Sequence, residues 1–366
     1  MTSDAQSSAP EADTPQPATA AEAEKDLARQ PYSPTTRQAR EAHGGMHGCR
    51  PGDPAGGSLR VSPDYPLEML FSHRRRGKGE THQAKVTVVL MTRDRPQRLR
   101  STLARLAALP ERPPVIVVDN ASRFGLDELT GPALPDCRVL RLPRNIGAVA
   151  RNLGVAAART PYVAFADDDS WWAPGALTRA ESHFAAHPRL ALIAARLLVG
   201  PAERLDPVSA FMSAAPVGRQ ADLPGPSVLG FLACAALVRK DAFLASGGFD
   251  PVVFFMGEES RVAYDLTSAG WGLSYCHDVV AHHHPEPGPQ PARKRMLAAR
   301  NAALTAWMRR PARVALARTV TFLREGSWRY RGSFAWRLPQ ALALRRRPDA
   351  KVEAMCEVLE RADPTR

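Results

Sequence analysis

Residues 162–169 read Tyr-Val-Ala-Phe-Ala-Asp-Asp-Asp, an apolar run that stops on three consecutive carboxylates. Tyr162–Ala166 has the length and composition of a buried strand. Upstream, Val86–Met91 is a β-branched run of the same kind. Pro96–Leu109 follows with Leu99, Leu103 and Leu106 at helical spacing, and Pro96 suits a first turn. Val115–Val118 and Val139–Leu142 are further strands, and Ala148–Ala158 is a helix. Strands alternating with helices predict a doubly wound α/β domain with a mostly parallel sheet. Downstream we expect a helix over Ala176–Ala186 and strands over Ala191–Val199 and Val228–Val238. A helix over Glu258–Ala269 and a strand over Gly272–Cys276 complete the reading.

In such sheets, ligands bind beyond the carboxyl ends of the strands. Val115–Val118 runs into Asp119 and Asn120, and Tyr162–Ala166 into Asp167, Asp168 and Asp169. Three adjacent carboxylates repel one another unless a cation or hydrogen-bond donors compensate. A helix cap accounts for one aspartate, not three. A hard divalent cation, Mg2+ or Mn2+, takes carboxylate oxygens and leaves positions open for phosphate. Trp171 and Trp172 come next, and they suit either a sugar platform or core packing.

The ordered motifs resemble those of the family 2 glycosyltransferases, inverting enzymes of the GT-A fold. Val88–Arg95 resembles that family's first strand and nucleotide loop, and Val117–Ser122 its second. Leu142–Gly147 with Ala150–Gly154 resembles the donor-contacting loop and helix, and Asp167–Asp169 stands where the DxD motif belongs. Gly247–Asp250, Gly257–Glu259 and Val279–His282 resemble the later turn, acidic motif and closing strand. The resemblance covers about 85 to 310. It implies that Asp169 binds the metal and that Asp167 and Asp168 contact the ribose or metal-bound water. It further implies that Asp119 bonds the nucleobase, with Asn120 beside it, that Arg151 lies near base or phosphates, and that Thr92 lines the base pocket through its backbone. The catalytic base falls on Glu259, with Glu258 as the alternative, since glutamate replaces the usual aspartate there. Two glutamates opening a helix also suit its dipole. His282 aligns with the family's metal-ligating histidine; His282–His284 also read as surface histidines before a proline. The implied partners are a nucleotide-sugar donor and a saccharide, lipid-linked or small-molecule acceptor.

The chain has 366 residues and a net charge of +12, which favours anionic partners without choosing among them. Clustered carboxylates argue against a nucleic-acid groove. A nucleotidyltransferase on a similar fold is the rival enzyme, but no glycine-rich, lysine-bearing loop follows the first strand. A non-catalytic nucleotide-sugar binder is the third reading. Five scattered cysteines without a CxxC pair, and a polar start without an apolar segment, lead us to expect a cytoplasmic protein. We expect a disordered tail over 1–84, where His43, His47 and Cys49 are a chance cluster, and a catalytic domain over 85–285. A basic helical extension over 286–366 mixes arginine with Phe322, Trp328, Tyr330, Phe334 and Trp336. That mixture suits either a packed hairpin or peripheral contact with an acidic membrane.

Overall fold

A computed structural model describes residues 84–126, 136–286, 291–347 and 349–362. The tail expected over 1–84, with His43, His47 and Cys49, lies outside the described residues save for Ala84.

A nine-stranded sheet forms the centre. Its strands are β1 (Val86–Thr92), β2 (Val115–Asp119), β3 (Cys137–Arg141), β4 (Tyr162–Asp167), β5 (Ser170–Trp172), β6 (Leu190–Val199), β7 (Arg204–Leu205), β8 (Ala236–Arg239) and β9 (Gly272–His283). The order is β3-β2-β1-β4-β8-β6-β9-β5, with β7 on β6. β1 pairs in parallel with β2 and β4, and β2 with β3; β8 runs antiparallel between β4 and β6. The parallel strands β1, β2 and β4 are buried and almost wholly apolar because helices cover both faces. Val89, Ile116, Val118 and Phe165 face one layer, and Val88, Leu90, Val115 and Val117 the other.

Helix α1 (Pro96–Ala107) buries Leu99, Leu103 and Leu106 on the second face. Helix α2 (Ala150–Ala157) covers the first face. Gly154 brings it close, since a Cβ there would stand 2.4 Å from a Val89 methyl. Helices α3 (Ala176–Ala186), α4 (Pro207–Ser213), α5 (Lys240–Ala245) and α6 (Glu259–Ser268) follow. Helices α7 (Pro291–Arg309), α8 (Ala312–Glu325), α9 (Trp328–Ala343) and α10 (Ala350–Ala362) close the described chain.

Three expectations need correction. The strand predicted over Val228–Val238 is regular only over Ala236–Arg239; Val228, Leu229 and Phe231 are buried in an irregular segment. An apolar run reports burial and cannot distinguish a strand from a covered loop. The strand expected at Gly272–Cys276 continues to His283, through a shift in pairing with β6 beside Ala195. Finally, Asp206 caps an unforeseen helix, accepting from the Val208 and Ser209 amides ahead of Pro207.

The extension packs on the sheet domain. Val252 and Val253 share a buried cluster with Ala303, Leu304, Met308, Phe322, Phe334 and Ala341. Among the described residues, no helix is long and apolar enough to cross a membrane.

Candidate active site

Parallel strands β1, β2 and β4 end side by side, so their carboxyl ends deliver Thr92, Asp119 and Asp167 to one edge. Asp119 is fully buried; its Oδ1 accepts from the Ser122 amide at 2.8 Å, across a turn in which Ala121 takes a φ of 65°. Its Oδ2 has no hydrogen-bond partner, and the Arg141 guanidinium stands 3.7 Å away. A buried carboxylate oxygen that accepts no hydrogen bond suits an incoming N–H donor. Asn120 does different work. Its amide accepts from the Ile146 N–H at 2.9 Å and donates to the Gly147 carbonyl at 3.1 Å, which fixes the loop before α2.

The three aspartates part company. Asp167 accepts from Arg151 at 2.5 Å. Asp168 accepts from the Thr92 hydroxyl at 2.9 Å and from Arg95, while its backbone carbonyl accepts from Thr102 at 2.8 Å. Thr92 therefore anchors an aspartate with its side chain, and its carbonyl accepts from the Asn120 amide. Burial pushes the Asp168 carboxyl up to about 7, with Arg95 opposing. Asp169 lies 3.0 Å from Arg95 and 3.3 Å from the His283 Nε2. Burial works against its charge, but hydrogen bonding from His283 and the charge of Arg95 prevail and hold it below the usual carboxylate range. Two guanidiniums thus offset the mutual repulsion of the carboxylates, so repulsion alone no longer points to a metal.

The structure places His282, expected as a metal ligand, on Trp171, and brings its neighbour His283 to Asp169. β5 pairs with β9 so that Trp171 faces His282 and Ser170 faces His283. Alternation sends the His282 and His284 rings to Trp171 and the His283 ring to Asp169. His282 stacks on Trp171, with its Nδ1 3.0 Å from Glu203. Both tryptophans are packed: Arg105 covers Trp171 at 3.9 Å, and Trp172 is buried, donating to the Phe165 carbonyl. No cluster of three or more His, Cys, Asp or Glu forms a complete metal cage among the described residues. Asp169 and His283 offer one carboxylate and one imidazole on the same side.

On the other side of Arg151, Glu258 and Glu259 open α6. Arg151, itself buried, joins the two halves: it holds Asp167 and stands 3.6 Å from Glu258. The second Glu258 oxygen has no partner. Glu259 accepts from the Ala233 amide at 3.4 Å. Burial, reinforced by Glu259 and opposed by Arg151, pushes Glu258 up to about 8. Burial also raises Glu259, against backbone hydrogen bonding and Arg151. The pair therefore keeps a proton well above the ordinary glutamate range.

The sequence assigned no role to Arg95, and His283 read as a surface histidine beside the preferred ligand His282. Arg95 stood inside a quoted motif, and only the fold brings it to Asp168.

Residues 87–245 match the family model described as glycosyl transferase family 2. A pre-mycofactocin glycosyltransferase of Mycobacterium tuberculosis is 35% identical over 227 residues, covering 60% of this chain and 46% of its own length. The chain thus spans about half the length of the curated relatives it matches. Among solved structures, S. aureus TarS 1–349 in complex with UDP-GlcNAc has a TM-score of 0.50 at 16% identity, over 74% of this chain and 83% of that one. GalNAc-T7 with UDP, GalNAc and Mn2+ has a TM-score of 0.50 at 13% identity, over 75% of this chain and 54% of that one. At such identities the likeness speaks for the fold alone, which is GT-A.

Proposed function

We propose that this chain, which belongs to glycosyl transferase family 2 through residues 87–245, moves a sugar from a nucleotide-diphosphate sugar to an acceptor hydroxyl with inversion. The observation that carries this reading is the meeting, through the buried Arg151, of the strand-end Asp167 with Glu258 at the start of α6. The Asp119 oxygen that lacks a hydrogen bond accepts an N–H of the nucleobase. Asp169 and His283 are the residues that would hold a divalent cation, Mg2+ or Mn2+. Their oxygen and nitrogen donors fit, and two protein ligands would leave positions open for diphosphate oxygens and water. When bound, the cation supplies charge stabilisation for the departing nucleoside diphosphate.

Glu259 removes the proton from the acceptor hydroxyl as its oxygen attacks the anomeric carbon. The new carbon–oxygen bond forms as the bond to the diphosphate breaks, and the pair of electrons leaves with the phosphate. Glu258 is the alternative base. The test is a panel of nucleotide sugars with Mn2+, read as released nucleoside diphosphate. At least one donor should turn over, and none doing so would end the reading.

The acceptor class is open to a saccharide, a lipid-linked sugar or a small molecule, and one observation favours contact with an acidic membrane. Phe322 and Phe334 pack inside the helical extension, but Trp328 and Trp336 are 85% and 65% exposed. Arg324, Arg329 and Arg331 are exposed beside them. Each basic residue near an anionic surface adds about 1 kcal/mol, and salt screens it. Co-sedimentation with anionic vesicles at low salt, lost at high salt, is the expected result. Equal behaviour with neutral vesicles would remove the membrane from the account.

A further inference from the structure

The segment before Glu258 is held in an unusual backbone. Phe254 and Met256 have φ of 67° and 72°, the left-handed region, where a side chain costs energy that glycine avoids. Gly257 follows with a φ of 85°, and Glu258 and Glu259 come directly after. Such a conformation persists only when its surroundings over-determine it.

Those surroundings come from both sides. From the donor side, the Ala148 amide donates to the Phe254 carbonyl at 2.7 Å, and a Cβ on Gly147 would stand 2.3 Å from that oxygen. From the C-terminal helices, Asn301 on α7 donates through Nδ2 to the carbonyls of Phe255 and Met256, both at 2.7 Å. Its Oδ1 accepts from Arg300 at 3.0 and 2.9 Å. Carbonyls on one side and a guanidinium on the other leave only one orientation for this buried amide. Arg337 on α9 donates to the carbonyls of Pro251 and Val252 at 3.0 and 2.9 Å.

We infer that Asn301 is a positioning residue for the transfer reaction: oriented by Arg300, it clamps the left-handed Phe254–Met256 turn and so holds Glu258 and Glu259 in place at the start of α6, beside Arg151. The inference rests on the proposed glycosyl transfer, and it makes the C-terminal helices part of the catalytic apparatus. The side-chain hydrogen bonds of Asn301 go to Arg300, Phe255 and Met256 and to none of the donor-side residues, so its loss separates chemistry from donor binding.

The experiment uses the full chain with the donor found active in the panel. Asn301→Ala should lower kcat by about 10²-fold, the scale expected when a reacting group is misplaced by about 1 Å. The Kd for the nucleoside diphosphate should stay within about twofold, and amides of 254–259 should exchange faster with solvent. Met256→Gly, in which the left-handed φ carries no strain, should soften the effect of Asn301→Ala in the double variant. Should Asn301→Ala not fold, Arg300→Lys carries the test: it keeps Asn301 but loses the two-pronged bond that orients it, and kcat should fall with Kd unchanged. A folded Asn301→Ala with parental kcat and unchanged exchange, or with Kd weakened as much as kcat, overturns the clamp and leaves the glycosyl-transfer reading intact. A parent chain that turns over no nucleotide sugar overturns the reading and the clamp's catalytic role with it.

Discussion

Asp169→Asn should abolish sugar transfer to the limit of detection, a loss of at least about 10²-fold, while the protein stays folded. The substitution keeps the side chain's shape and removes the charge that His283 and Arg95 hold in place. The backbone carbonyl of Asp169, which accepts from the His284 amide at 2.9 Å, is untouched, so β5 and β9 keep their register. Circular dichroism should match the parent. Calorimetric titration with nucleoside diphosphate and Mn2+ should show weakened binding. An Asp169→Asn protein of full activity, or a parent indifferent to excess chelator, would remove the cation from the mechanism.

Glu259→Gln should cost about 10²–10⁴-fold in kcat with donor affinity kept, the range for loss of a general base. pH supplies the second arm. A base works deprotonated, and the pair's carboxyls are raised, so turnover should climb as pH rises through a limb far above the ordinary glutamate range, with Glu258 at about 8. Glu258→Gln takes a like charge from beside Glu259, so the limb should move to lower pH while activity survives. If instead Glu258→Gln is dead and Glu259→Gln active, the two glutamates exchange roles.

Much of this site was legible because it is local. Val86–Thr92, Val115–Asp119 and Tyr162–Asp167 announce themselves as apolar runs, and a parallel sheet gathers their carboxyl ends wherever the helices fall. What the sequence did not show depends on pairing between distant segments. Whether His282 or His283 faces Asp169 turns on a one-residue register between β5 and β9, and β5, only three residues long, gave no periodic signal. Arg95 gained its role from a contact across 73 residues, and Asn301 from carbonyls 45 and 46 residues away. Arg337 reads in sequence like its neighbours Arg329 and Arg331, among aromatic residues in a basic helix. Only the packing of α9 on Val252 separates the buried arginine from the exposed ones.

Single displacement from the face opposite the leaving diphosphate leaves its mark on the product. Proton NMR of the transferred sugar, followed from the first turnover, reports the configuration at the anomeric carbon. The mechanism drawn through Glu259 predicts a product inverted relative to the donor. Retention of the donor's configuration would contradict it, because retention requires a second displacement or an attack from the same face.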